Sequence, residues 1–294
     1  MPPDEVRSSR TWLALAALAV SACGAPDAAH AMPDVEAPPY DRPTYVLSSM
    51  NIETTMPPGS AYGIDLDGRV GGVPGTCTDA IDFTSPITGA TGVDNQFSNL
   101  FPIIDTLVGA RGEDAVIRNG IIAGRIAVVL VVDDLNSYTN DNAVRVRLVM
   151  GRIVPGMTLL TDATGTALAP GASFQVGSEL GTYPATITNG RLAFTSTAPL
   201  PLFVLPQGSS PMPLRNTRFE ARITATALYE GQLGGEITVD DVVAWLVDGG
   251  AIADRASIEA LLRPDLEPDA DGAHCAGASA GAEFAGVLAS LLES

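Results

Sequence analysis

Lysine is missing altogether; all sixteen basic residues are Arg. Histidine occurs only at positions 30 and 274. These two shortages remove Schiff-base chemistry and most imidazole acid–base catalysis. Cysteine is limited to Cys23, Cys77 and Cys275, with no C-x-x-C pair, which disfavours zinc bound by familiar spacing. The glycine stretch Gly71-Gly72-Val73-Pro74-Gly75 lacks the Lys and the following helix of a phosphate loop. No apolar run is long enough to cross a bilayer as a helix: Trp12–Val20 is too short, and Ile121–Val132 is broken by Gly124 and Arg125. Positive charge is scarce throughout, sixteen Arg against 34 Asp and Glu, for a net charge of -18. Such a surface is repelled by phosphate backbones and anionic headgroups, so nucleic acid is excluded as a partner and cations or basic groups suit it better. The absence of Lys beside abundant Ala, Gly, Pro and Val reads as the bias of a GC-rich genome, without a folding consequence.

What is present begins with an export signal. Arg7 and Arg10 precede the apolar run Trp12–Val20, and Val20-Ser21-Ala22-Cys23 follows it. A branched apolar residue, two small residues and then cysteine resembles the lipobox of bacterial lipoproteins. The resemblance implies cleavage before Cys23, a diacylglyceryl group and a further acyl chain such as palmitate on that cysteine, and a new N-terminus there. Residues 1–22 are therefore expected to be a lipoprotein signal peptide. Residues 23–43, rich in Pro, Ala and acid without apolar periodicity, are expected to be a flexible tether. Two or three acyl chains make a stable anchor, so the lipid bilayer is the expected partner through Cys23. Gly24, where an Asp would mark inner-membrane retention in some bacteria, favours the outer membrane over the inner one, facing the periplasm or the surface.

Roughly 250 residues remain for folding, enough for one large β-rich domain over 44–294. Hydrophobic residues are 46 % of the chain, which is compatible with a sizeable core. Thr44 to Ile52 reads as a first strand. Gly59 to Gly92 reads as an aperiodic Gly- and Asp-rich loop. Phe97, Leu100, Phe101, Ile104 and Leu107 fall at helical spacing, with Asp94 as N-cap and a kink at Pro102. Asp114 to Ile122 suggests a second short helix. Arg125 to Val132 is apolar on both faces and reads as a doubly covered strand, whereas Ala143 to Met150 alternates. Further strands are expected at 173–176, 184–188, 191–195 and 202–205, with Asn189-Gly190 as a hairpin turn. Residues 218–228 and 233–239 read as a pair joined across Glu230-Gly231. Helices are expected at 240–246 and 257–262. The stretch 276–292 fits either a strand or a helix. Short strands with few helices point to a mainly β fold, an antiparallel β-sandwich-like domain with short helices in its connections.

Three groups of residues can carry chemistry. Asp65, Asp67, Asp94, Asn95, Asp133 and Asp141, with Asp134 and Asn140, supply hard oxygen ligands in loops, and calcium is the expected cation outside the cytoplasm. The same residues are ordinary turn formers, which is the competing explanation. Read from Glu267, the stretch Asp265–Gly272 has early EF-hand spacing, but its twelfth position is Ala278 instead of the required Glu, leaving at most an irregular calcium loop. Gly277-Ala278-Ser279-Ala280-Gly281 matches G-x-S-x-G, yet no His follows it, so small-residue packing is the better reading. Tyr183 and Tyr229 suggest sugar contacts if exposed, with core or edge packing as the competing explanation. Cys77 and Cys275 are expected to pair in an oxidising compartment, closing a loop of about 200 residues with stabilisation on the order of 5 kcal/mol. Two buried thiols are the alternative. Such a bridge would bring the DLDG loop and the late acidic loop together.

The segments Gly63-Ile64-Asp65-Leu66-Asp67-Gly68, Cys77, Gly92-Val93-Asp94-Asn95-Gln96 and Pro268-Asp269-Ala270-Asp271-Gly272 before Cys275 resemble a set of uncharacterised acidic lipoproteins of GC-rich Gram-negative bacteria. Their shared pattern is DLDG…VDNQ…DADGxxC. The resemblance covers most of Tyr45 to Phe284 and implies a shared fold and a shared acidic site, but no reaction. It also favours a final strand at the C-terminus. The expected role is a membrane-anchored binding or envelope-structural module, calcium-stabilised, in preference to an enzyme. The alternative is a carboxylate-dependent extracytoplasmic hydrolase acting on glycans.

Overall fold

A computed structural model describes residues 42–52, 57–68, 70, 82–100, 113–203, 212–248, 255–262, 265–266 and 277–292. Cys23, Cys77, Cys275, both histidines and the stretch 267–276 lie outside the described residues. So do the expected signal peptide, the expected tether up to residue 41, and positions 101–112 of the expected kinked helix.

The strands run β1 (Thr44–Asn51), β2 (Phe83–Thr84), β3 (Thr91–Val93), β4 (Val128–Asp133), β5 (Asp141–Ile153), β6 (Ser173–Thr188), β7 (Arg191–Ser196), β8 (Leu200–Phe203), β9 (Met212–Ile223), β10 (Ala227–Ile237), β11 (Ala278–Leu288) and β12 (Ser290–Leu292). The helices are α1 (Glu113–Ile122), α2 (Val239–Asp248) and α3 (Arg255–Leu261), with a 3₁₀ turn at Gln96–Leu100.

The mainly β content agrees with the sequence, but the sandwich does not. One sheet runs β10-β11-β1-β4-β5-β6-β7-β9, and β9 pairs back onto β10. Every neighbouring pair is antiparallel, so eight strands close into a barrel. Around the ring the strands follow chain order, with other elements inserted between them, which makes it an up-and-down barrel. Closure removes the two unpaired edges that a sandwich would leave on each of its sheets. β8 lies against β9, and β12 adds in parallel to the start of β6.

Alternation sets which side chains enter the barrel. Val144, Val146 and Leu148 of β5 are buried, while Arg145 is exposed. In β4, Val129 and Val131 on one face and Leu130 and Val132 on the other are all buried, the double cover that its unbroken apolar run predicts. Four aromatic rings stack around the inside: Tyr183 on Phe194 at 4.9 Å, Phe194 on Phe219 at 4.7 Å, and Phe219 on Phe284 at 4.7 Å between ring centres. Tyr183 is thus a core residue and not an exposed sugar platform. Offset stacking of this kind contributes about 0.5–1.5 kcal/mol per pair beyond area burial. Among the described residues, Tyr45, Leu130, Phe194, Phe219, Leu233 and Phe284 help to bound an apolar cavity of about 70 Å³. Ligand pockets usually measure about 300–1,000 Å³, so this barrel fills its interior with its own side chains.

The two ends of the barrel differ. At one end the connections are short: 134–140, 189–190 and 224–226. At the other end they are long: 52–127, 154–172, 197–211 and 238–277. The first of these carries β2, β3, the 3₁₀ turn and α1, and the last carries α2 and α3. The connection 154–172 folds back along the wall, with Leu168 N–H donating to the Ser48 carbonyl at 3.1 Å.

Candidate functional site

The acidic residues expected to gather fall into two groups at opposite ends of the barrel. Asp133 and Asp141 sit at the short-turn end. Asp133 accepts from Arg42 Nε at 2.5 Å. The Asp141 carboxylate accepts from the backbone N–H of Asn136 at 2.6 Å and of Ala143 at 3.1 Å. Burial raises the Asp141 pKa, but these donors together outweigh it and hold it below the usual carboxylate range. Asp134 pairs with Arg145 at 2.7 Å, and Asn140 accepts from Asn189 N–H at 3.0 Å. All four serve an ion pair or a turn, and none reaches the other group.

Asp65, Asp67 and Asp94 do converge, with one carboxylate oxygen of each lying within 4.8 Å of the others. The loop holding Asp65 and Asp67 lies across the outer face of β10 and β11. Small residues make that possible. A Cβ on Gly281 would stand 2.6 Å from both the Gly63 Cα and the Tyr62 carbonyl, and one on Gly234 would touch Leu66 and Ile64. Gly281 lies opposite Gly234 in the register, so the two strands present a smooth outer surface there. The G-x-S-x-G stretch therefore serves packing, as its lack of a partner His implies.

Asp94 anchors the arrangement. Its backbone N–H donates to the Ile64 carbonyl at 3.2 Å. Its Oδ2 accepts from Leu66 N–H at 2.6 Å and Asp67 N–H at 3.3 Å. Asp94 thus faces away from the 3₁₀ turn instead of capping it. It is 0 % exposed, and its Oδ1 has no partner among the described residues. Burial pushes its pKa up to about 8; the Leu66 N–H opposes this, while the carboxylates of Asp265, Asp67 and Asp82 add to it. Asp65 Oδ1 accepts from Gly68 N–H at 2.6 Å, and the Asp65 carbonyl accepts from Arg218 at 2.9 Å.

Asn95 is not available as a ligand. Its amide donates to the Tyr62 carbonyl at 2.7 Å and the Gly281 carbonyl at 3.3 Å, and its Oδ1 accepts from Gly281 N–H at 3.2 Å. It clamps the loop to β11. Beside it lies a latch that sequence reasoning missed. Ser279, fully buried, donates its hydroxyl to Asp265 and accepts from Gln96 N–H at 2.9 Å. Asp265 also accepts from Ser279 N–H at 2.7 Å. Burial raises the Asp265 pKa to about 6 despite these donors, with Asp82 adding to the rise. Ser279 is 0 % exposed, so its hydroxyl is closed off from any substrate in this structure. The latch partners are separated by 14 and 183 positions, so no local motif announces them.

Comparison with protein-family models, with curated proteins and with solved structures finds no match to this chain.

Proposed function

We propose that this chain is an extracytoplasmic lipoprotein, held to a bilayer through lipidated Cys23 and most readily placed in the outer membrane. Its barrel acts there as a rigid binding or envelope-structural module. The observation that carries this reading is the asymmetry of the barrel ends. The chain enters at Arg42–Thr44 beside the short turns, while the connections 52–127, 197–211 and 238–277 leave their strands at the opposite end and 154–172 reaches back to the entry side, where Ser290 N–H donates to the Ala172 carbonyl at 2.9 Å. Elaborated connections on a rigid scaffold are where binding residues concentrate. The filled interior argues against a ligand carried inside the barrel.

The glycan-hydrolase alternative has less support. Paired catalytic carboxylates stand about 5–9.5 Å apart across an open cleft. Here three carboxylates crowd within 4.8 Å and Asp94 is wholly buried.

The reading is tested in a Gram-negative host by fractionation, palmitate labelling and mass spectrometry of the mature N-terminus. Wild-type chain is expected in the membrane fraction, labelled and starting at residue 23, whereas Cys23→Ala is unlabelled and leaves that fraction. A mature chain starting elsewhere, with an unmodified or discarded Cys23, would remove the anchor. Turnover on a glycan panel that Asp67→Asn abolishes would replace the module with an enzyme.

A further inference from the structure

We infer that Asp65, Asp67 and Asp94 form a site for a hard divalent cation of calcium's size, which fastens the loop 60–68 to the β10–β11 wall. This names a ligand for the loop end of the module proposed above. Its test is a titration of the purified chain, and the outcome does not depend on where the chain is anchored.

The geometry fits one ion. Calcium holds oxygen ligands at about 2.3–2.6 Å, so two oxygens on the same ion stand at most about 4.6–5.2 Å apart. Oxygens of the three carboxylates all lie within 4.8 Å of one another. Carboxylates brought this close repel unless a proton or a cation neutralises them. A donor set made only of oxygen selects calcium or magnesium over zinc and other transition metals. Magnesium demands a near-ideal octahedron and keeps its water, whereas calcium tolerates an irregular set.

A second observation points the same way. Asp94 is 0 % exposed and has one oxygen already engaged by two backbone N–H groups. Its other oxygen, Oδ1, has no partner among the described residues. Buried acceptors are almost always satisfied, and an orphan needs an explanation such as an ion or an ordered water. A proton on Oδ1 would also neutralise the charge, and the calcium titration below separates the two. The nearby guanidinium of Arg218 donates to the Asp65 carbonyl. A cation bound by the Asp94 carboxylate would offset the charge and offer Oδ1 the partner it lacks among the described residues.

The scaffold around these groups is preorganised. Asn95 ties the neighbouring backbone to Tyr62 and Gly281, and the Ile64–Asp94 pairing joins the two ligand-bearing segments. Binding should therefore brace the loop and stabilise the folded state over the unfolded one.

The experiment uses the full mature chain in detergent, stripped with chelator and titrated with calcium chloride. Calcium at about a hundredfold over its dissociation constant is expected to raise Tm on the order of 5 °C. Terbium offers a direct readout. Trp245, the only tryptophan after the signal segment, packs edge-on to Phe97 at 6.2 Å, three positions from Asp94. It is expected to sensitise terbium emission that calcium then displaces. Asp67→Asn and Asp94→Asn are each expected to weaken calcium binding about tenfold or more, by removal of a charged ligand. The exposed Asp240→Asn should change nothing. If burial makes Asp94→Asn misfold, Asp67→Asn alone carries the test, since Asp67 is only half-buried. The inference is overturned if millimolar calcium moves neither Tm nor emission, or if both responses persist undiminished in Asp67→Asn.

Discussion

At Ser279 one side chain serves two partners, and the titration of Asp265 depends on it. The buried carboxylate holds two donors from that residue, yet burial still raises its pKa from 3.8 to about 6. The folded state therefore binds this proton more tightly than the unfolded chain does. The resulting stabilisation is complete below about pH 4 and is lost as pH rises through about 6, a change on the order of 3 kcal/mol. Asp94, raised to about 8, extends the decline toward alkaline pH when no cation is bound. Asp241 acts in a separate window. Burial pushes it up, but Arg215 and Thr238 outweigh this and hold it below the usual range, so its contribution disappears only as pH falls below that range. Urea midpoints of chelated protein, measured from about pH 4 to about pH 7, are expected to fall with rising pH. Asp265→Asn should flatten the first part of that fall, and an unchanged slope would contradict the assignment.

Residue chemistry was partly readable in advance. Asp65, Asp67 and Asp94 were recognisable as oxygen donors in loops, and the structure brings them together. Asp133 and Asp141 have the same local chemistry but sit at the far end of the barrel. Only the strand register reveals which end a loop occupies, and no spacing rule encodes it.

Elements with a strong period were legible. The alternation of β5, the unbroken run of β4 and the Asn189-Gly190 turn, with φ of 51° and 77°, all fall where the sequence places them. The short helices α1, α2 and α3 also appear within a few residues of expectation. Glycine misled the reading twice. The stretches 173–176 and 184–188 belong to one long strand, β6, whose register against β5 shifts around Gly177 and Gly181 without a break in the strand. A Cβ on Gly177 would stand 2.2 Å from the Met150 carbonyl, so the glycine permits close strand approach. Glu230-Gly231 is a bulge inside β10, with Glu230 at φ 49°, and the real turn is 224–226. Gly231 leaves room for the Phe284 ring, which a Cβ there would approach to 2.4 Å. Within the 276–292 stretch, 278–288 and 290–292 are strands, and alternate small residues of β11 pack inside the barrel and under the 60–68 loop.

Gly281→Ala tests that last contact at the level of the element. The added Cβ would meet the backbone of Tyr62 and Gly63, so the loop must lift away from β11. Overpacking of this kind costs about 1–3 kcal/mol. Urea denaturation should register the loss. Hydrogen exchange should locate it in residues 60–68, with the 189–190 hairpin unaffected. Uniformly faster exchange across the barrel would argue against a local loop contact.

The closed ring was the part least legible in the sequence. Asn51 pairs with Glu283, 232 positions away, and β11 joins β10 to β1. Local periodicity specifies that a segment is a strand but is silent on whether the first and last strands meet. A sandwich and a barrel built from the same alternating segments bury the same faces, and only long-range pairing separates them. Pairings of this separation also make folding slow, in the millisecond-to-second range.

The meeting of first and last strands has a consequence for engineering. The Thr44 carbonyl accepts from Ala289 N–H at 2.9 Å, so the two ends of the folded domain are neighbours at the short-turn end. A few Gly and Ser residues can join them, and the two-residue hairpin at 189–190 offers an exposed place to open new termini. Such a circular permutant should recover the near-ultraviolet circular dichroism of the stacked rings. It would also let a lipid-bearing cysteine be grafted at a different point on the barrel rim.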